Sequence, residues 1–268
     1  QVCEIAIRGS HNHLPWEPAK LLYQNQYDFN YLEDRLLGEA YIENGRLNIG
    51  ESSYSVIIRM PDHHLSECQE EILKRFINSG GQVMAFSVAE RLLNQLTGIN
   101  SDVMIEPDND DLRYVHVKKD GYDFYYLVNE GGNAIDTKLT INTVGSAEWW
   151  DPLTGKSSAC PILDKTNKTM TVPLHLEKRE SIILSIEPNK LPIVETNWQP
   201  SQILERIDIS SDWRLYDPES GGTLSDKLTD WTDISGYEKF SGILSYERVF
   251  EATSDMLEDA QWILDLGE

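Results

Sequence analysis

Basic residues are scarce in this chain of 268 residues: 23 Lys and Arg stand against 45 Asp and Glu, a formal net charge of −22 and a pI near 4.6. Such a surface repels phosphate backbones and anionic bilayers, which argues against nucleic-acid and membrane-surface partners. Cysteine is scarcer still. Cys3, Cys68 and Cys160 lie far apart, with no C-x-x-C pair for zinc or thiol exchange and too few for a disulfide framework, so cysteine usage leaves the compartment open. No apolar run approaches the roughly eighteen residues of a membrane span, and no basic-then-apolar leader opens the chain. Phosphate-cradling glycine loops are missing too: neither G-x-G-x-x-G after a strand nor G-x-x-x-x-G-K-[ST] occurs. No Ser or Cys stands between glycines as a nucleophile elbow would require.

What is present is 40% hydrophobic composition, enough for one large core or two to three smaller ones. The chain begins with Gln1 and enters the apolar stretch Val2 to Ile7 at once, so a preceding segment is expected. To about residue 105, short apolar runs alternate with helical periodicity, the pattern of βαβ units around a mostly parallel, doubly wound sheet. A helix is predicted after Pro15, with Ala19, Leu22, Tyr23 and Gln26 at helical spacing, then a strand over Tyr27 to Tyr31 and a short acidic helical turn. Asn44-Gly45 centres a hairpin between Ala40 and Ile49. A strand from Ser55 to Met60, a helix carrying Leu65, Ile72, Leu73, Phe76 and Ile77, a glycine C-cap at Gly80-Gly81 and a strand from Gln82 to Phe86 follow.

From about 110 to 190 the helical period disappears and strands come at short intervals, at 114–117, 123–128, 138–141, 147–150, 169–176 and 181–186, which predicts an antiparallel β-sandwich. Pro188 to Pro200 reads as a linker. Beyond it the pattern stays all-β, with strands predicted at 207–216, 241–252 and 261–266; about four strands fall short of the eight of a complete jelly roll. The predicted fold class is therefore multi-domain, α/β followed by all-β, with boundaries at 1–108, 109–190 and 198–268.

Residues that carry chemistry elsewhere do not assemble into a signature here. Cys68 sits in Ser66-Glu67-Cys68-Gln69-Glu70, among acids that disfavour a thiolate, and reads as structural. His11 with His13, and His63 with His64, lack a third or fourth ligand at metal spacing and read as loop residues. Glu106, Asp108, Asp110 and Asp111 are broken by Pro107 and Asn109, which fits a solvated connection better than the acid and base of a glycosidase. Seven tryptophans are many. Trp149, Trp150 and Trp262 are expected in the core, whereas Trp198, Trp213 and Trp231 border loops and read equally as core or as sugar-stacking platforms. No catalytic, cofactor-binding or metal-ligating residue is assigned, no cofactor is expected, and the carbohydrate-binding residues are unknown.

Three segments carry a resemblance. Gln26 to Leu32, the strand Tyr54 to Met60 and the helix-Gly-Gly-strand Phe76 to Met84 resemble the flavodoxin-like, glutamine-amidotransferase-like domain found beside the barrel of several bacterial glycoside hydrolases. Tyr125-Tyr126-Leu127-Val128-Asn129-Glu130, followed by Glu148-Trp149-Trp150-Asp151-Pro152-Leu153-Thr154-Gly155, is similar to the β-sandwich that comes next in them. Trp231 to Phe250 with Leu264-Asp265-Leu266-Gly267-Glu268 resembles the first half of a galactose-binding-like jelly roll. Together they resemble the C-terminal region of α-L-rhamnosidase-like enzymes of glycoside hydrolase family 106. The resemblance implies a non-catalytic accessory fragment of a carbohydrate-active enzyme acting on plant or complex polysaccharide. Its partners would be the upstream catalytic barrel of the parent chain and carbohydrate, its address periplasmic or secreted. The family's catalytic carboxylates lie on that barrel, so none is carried onto this chain. The alternative is a free-standing carbohydrate-binding protein that uses the loop aromatics. An active amidotransferase or esterase would need the elbow that is missing.

Overall fold

The computed structural model describes residues 1–10, 14–61, 65–96, 98–99, 101–190, 206–219, 221–251 and 264. The chain divides into two compact units, Gln1–Gln199 and Pro200–Glu268.

The first unit opens with a parallel sheet. Its elements are β1 (Ile5–Gly9), α1 (Trp16–Gln24), β2 (Phe29–Glu33), a 3-10 turn (Asp34–Glu39), β3 (Tyr41–Glu43), β4 (Arg46–Ile49), β5 (Ser52–Tyr54), β6 (Val56–Arg59), α2 (Glu67–Asn78), β7 (Gln82–Ala85) and α3 (Ala89–Leu96). The parallel order is β2-β1-β6-β7. Strands covered on both faces need apolar residues at every position, and Ile5, Ala6 and Ile7, like Val56, Ile57 and Ile58, are all buried. Alternation sends Ile5, Ile7, Val56 and Ile58 to a core shared with Leu22 of α1 and Leu92 and Leu96 of α3, while Ala6 and Ile57 meet Ile72, Leu73 and Phe76 of α2. The second core is closed by Leu47 and Tyr54 of the small antiparallel sheet β3-β4-β5. The predicted hairpin thus gains a third strand, and the positive φ of both Asn44 (51°) and Gly45 (74°) is what its tight turn requires. α3 falls outside the elements predicted from periodicity.

Nine strands form the rest of this unit: β8 (Val103–Glu106), β9 (Leu112–Lys119), β10 (Tyr122–Asn129), β11 (Ile135–Ile141), β12 (Ser146–Trp150), β13 (Ser157–Ala159), β14 (Asp164–Lys165), β15 (Met170–Leu176) and β16 (Ser181–Glu187). They pair antiparallel in two sheets, β13-β12-β16-β10-β9 and β14-β15-β11-β8. Inward residues of both sheets, among them Leu112, Tyr125, Leu127, Leu139, Ile141, Val172, Leu184 and Ile186, make one core. β8 corrects the expected boundary. Val103 to Glu106 precedes residue 108, yet all four residues pair with β11, so this strand is part of the sandwich and the acidic run after it is an internal turn.

The second unit contains a three-stranded antiparallel sheet, β18-β17-β19, built from β17 (Arg214–Tyr216), β18 (Thr223–Ser225) and β19 (Ser245–Glu247). Trp213 and Leu215 are its buried residues, and Trp213 Nε1 donates to the Ile209 carbonyl. The strands predicted at 207–216 and 241–252 are shorter here, three residues each, and the one predicted at 261–266 lies outside the described residues apart from Leu264. The chain is thus β-rich, with several antiparallel sheets beside one parallel sheet.

Candidate ligand-binding face of the sandwich

Period-two alternation in β10 buries Asp123, Tyr125, Leu127 and Asn129 and leaves Tyr122, Phe124, Tyr126 and Val128 on the outer face. Pairing carries that parity across the sheet. One row runs Val117, Phe124, Ser185, Glu148, Ala159; the next runs Val115, Tyr126, Ile183, Trp150, Ser157. Aromatic rings therefore stand on the exposed side of this sheet, Phe124 at 5.6 Å edge-on to Trp150 and 6.0 Å from Tyr122. The corresponding face of the other sheet is mostly polar: Asp136, Lys138, Thr140, Thr171 and His175 line up there beside the exposed Met104, with Thr140 bonded to Thr171 and His175 to Asp136.

Above the aromatic face lies a depression of about 490 Å³ whose lining includes Tyr122, Phe124, Trp150, Ser185, Glu148 and Glu187. Lys119, Asp120 and Lys190 stand at its rim. Glu148 accepts from Trp150 Nε1 at 3.1 Å, which fixes the indole, and Lys190 lies 3.5 Å from Glu187. Ser185 is only 4% exposed and contributes to the lining. The depression offers apolar ring faces, hydroxyl and carboxylate acceptors, and ammonium donors within one footprint.

A second polar constellation is buried at the seam between the parallel sheet and the sandwich. His116, 2% exposed, places Nδ1 2.6 Å from Asp102 Oδ2 and Nε2 2.6 Å from Asp123 Oδ1. Both ring nitrogens thus face carboxylate oxygens. The ring plane stacks on Tyr125 at 4.1 Å, Lys118 adds a contact to Asp123 at 3.4 Å, and the His116 amide donates to Asp28 Oδ2. Asp28 also accepts from Gln1 Nε2 and the Phe29 amide. Burial pushes the Asp28 carboxyl up to about 6, its hydrogen bonds opposing the rise. Burial, with Asp28 nearby, pushes the Cys3 thiol up to about 12, so it is a poor nucleophile. The cluster ties the residues that open β2 to β9 and β10.

The residues singled out from sequence are dispersed. Cys68 is exposed on α2. His11, His13, His63 and His64 lie outside the described residues, as do Trp198 and Trp262. Glu106 ends β8, and Asp110 and Asp111 form the turn into β9, where the Asp111 amide donates to Asn109 Oδ1 and the Asp111 carbonyl accepts from the Glu130 amide. Among the described residues no group of three His, Cys, Asp or Glu is arranged to hold a metal ion. Trp149 packs on the core as expected, but Trp150, expected there too, faces outward, because adjacent residues of a strand point to opposite sides. Of the loop tryptophans, Trp213 is buried and Trp231 exposed.

No protein-family model matches the chain, and no curated protein does. Among solved structures, its fold is shared with part of a rhamnosidase from Novosphingobium sp. PP1Y: TM-score 0.58, 17% identity, 94% of this chain and 29% of that one. The chain thus spans less than a third of that enzyme. Slighter likenesses run to α-L-fucosidase isoenzyme 2 from Paenibacillus thiaminolyticus (TM-score 0.48, 8% identity, 70% of this chain and 49% of that one). Another is to an apo exo-carrageenase from Bacteroides ovatus (TM-score 0.42, 10% identity, 68% and 28%). Neither is close enough to define a fold.

Proposed function

We propose that this chain is a non-catalytic accessory region of a larger, α-L-rhamnosidase-like glycoside hydrolase. The observation that carries the reading is the extent of the fold match: 94% of this chain aligns with 29% of a rhamnosidase, as an accessory block within a longer enzyme would. The all-parallel order β2-β1-β6-β7, with helices on both faces, supports a flavodoxin-like, amidotransferase-like first domain over about 1–108, its end adjusted for β8. The sandwich, expected over 109–190 and here taken from Val103, is the bridging domain, and 198–268 is part of a galactose-binding-like jelly roll. In this reading the partner is a catalytic barrel of the parent chain, the substrate a plant or complex polysaccharide, and the address periplasmic or secreted. The buried His116, held between Asp102 and Asp123, is in keeping with a structural role.

Two measurements test this. The purified chain should not turn over an aryl α-L-rhamnoside; hydrolysis that disappears on Glu148→Gln or Glu187→Gln overturns the reading. An immunoblot of the source cells with antibody against this chain should show a band far above 30.6 kDa. A band at that mass favours a free-standing protein instead.

A further inference from the structure

The outer face of the five-stranded sheet is built differently from the rest of the surface. Solvent-facing strand positions are ordinarily polar, as they are on the opposite sheet apart from Met104, yet here Val115, Val117, Tyr122, Phe124, Tyr126, Ile183 and Trp150 share one side. The rings are held, not loose: Trp150 is pinned through its indole N–H to Glu148, and Phe124 packs between Tyr122 and Trp150. Rigid half-exposed rings cost little ordering entropy when a ligand settles on them.

Two features decide what covers them. The first is Ser185, paired across the ladder with Phe124 on one side and Glu148 on the other, which sets a hydroxyl-bearing side chain in the lining between the aromatic and the carboxylate. A hydroxyl that opens on the depression can donate to or accept from a group seated there. The second is charge. Lys119, Asp120, Glu148, Glu187 and Lys190 lie within the same footprint, nearly balanced in sign, whereas the centres of protein interfaces are depleted of charge. A protein partner would have to desolvate all five; a polyhydroxylated ring hydrogen-bonds to them and lays its C–H face on the aromatics.

We propose that this depression is a binding site for a neutral pyranose-containing saccharide, with Trp150 and Phe124 as the stacking platform, Tyr122 as its flank, and Ser185, Glu148 and Glu187 meeting ring hydroxyls. It goes beyond the accessory reading, since it places a site on this sandwich and holds whether or not a barrel precedes it.

The test is native electrophoresis of the full chain through gels containing a neutral galactan, a xyloglucan or a mixed-linkage β-glucan, with polygalacturonate as the acidic probe. At least one neutral polysaccharide should retard the chain, with affinity weakened about tenfold or more by Trp150→Ala and by Phe124→Ala and less by Ser185→Ala. Near-ultraviolet circular dichroism identifies any variant that has lost its fold, and Trp231→Ala, in the other unit, should leave the retardation unchanged. Retardation by none of the neutral probes, by polygalacturonate alone, or equally in folded Trp150→Ala and Phe124→Ala overturns the proposal. So does a dimer, seen by sedimentation, that Trp150→Ala dissolves, because it assigns the face to a protein partner. Absence of binding leaves the aryl rhamnoside result untouched, so the two readings fail separately.

Discussion

Asp28 is 6% exposed, accepts three hydrogen bonds, and still has its carboxyl raised from an ordinary 3.8 to about 6. Desolvation of the charged form outweighs the donors around it. The folded state therefore holds a proton that the unfolded chain releases between about pH 4 and pH 6. Stability from this group is full below about pH 4 and is lost as pH rises through 6, by on the order of 3 kcal/mol. Urea unfolding from pH 4 to 7 should show wild type losing stability across that window relative to Asp28→Asn; parallel curves would mean that the carboxyl is not raised. The thiols give a second check. Cys3 is held protonated and Cys160 is buried, while Cys68 is exposed, so a disulfide reagent at pH 8 should titrate one thiol in the native chain and three in denaturant. Two fast native thiols would contradict the burial of Cys3. Neither Asp28 nor Cys3 stood out in the sequence, because what perturbs them is burial, and Asp28 is buried against His116, 88 residues away, a meeting that no local pattern reports.

At the scale of elements, α2 shows how much a short motif can hold. Ser66 Oγ accepts from the Gln69 amide and Gln69 Oε1 accepts from the Ser66 amide, a capping box, while Gly80 (φ 104°) and Gly81 return hydrogen bonds to Ile77 and Phe76 at the other end. Ser66→Ala should cost about 1 kcal/mol in chemical denaturation. Gly81→Ala should cost more, about 1–3 kcal/mol, because a Cβ there would lie 2.1 Å from the fully buried Phe76 ring. A cost near zero would show that the ring moves aside freely. The glycine pair was legible as a C-cap, and the Asn-Gly turn as a hairpin. The capping box was equally legible and passed unread. Trp150 is more instructive. Ala147-Glu148-Trp149-Trp150 is apolar enough to suggest a buried strand, but Glu148 must face water, and parity then puts Trp150 beside it and Trp149 in the core. One charge settles the side of a whole row. β8 escaped because the acidic turn after it drew the boundary to residue 108 and because Val103-Met104-Ile105 are apolar in a row, so that its alternating burial has no counterpart in the sequence.

Across the whole molecule, three cores sit under a surface of net charge −22. The β-rich, antiparallel character was readable because period and composition change together near residue 105, from helix-spaced to alternating; the contact between the two parts was not, since it depends on Gln26 reaching the carbonyls of Asn109 and Leu112 and on Val2 pairing with His116. Charge acts on this assembly in two opposing ways. Excess carboxylates repel one another over the whole surface and destabilise the compact state, whereas close pairs such as Arg8 with Asp34 and Arg113 with Glu130 stabilise it. Salt separates them by range. Raising ionic strength from 0.01 to 0.15 M shortens the screening length from about 30 to about 8 Å, which removes the long-range repulsion and leaves contacts near 3 Å largely intact, the more so where one partner is buried as Arg8 is. With 45 acidic residues against 23 basic ones, repulsion should dominate, so the midpoint of thermal unfolding should rise over that interval. Sodium chloride makes the comparison cleanly, whereas sulfate also strengthens apolar burial. A midpoint that falls with sodium chloride would mean that the local pairs outweigh the net charge, and the acidity would then have to be organised around its few cations.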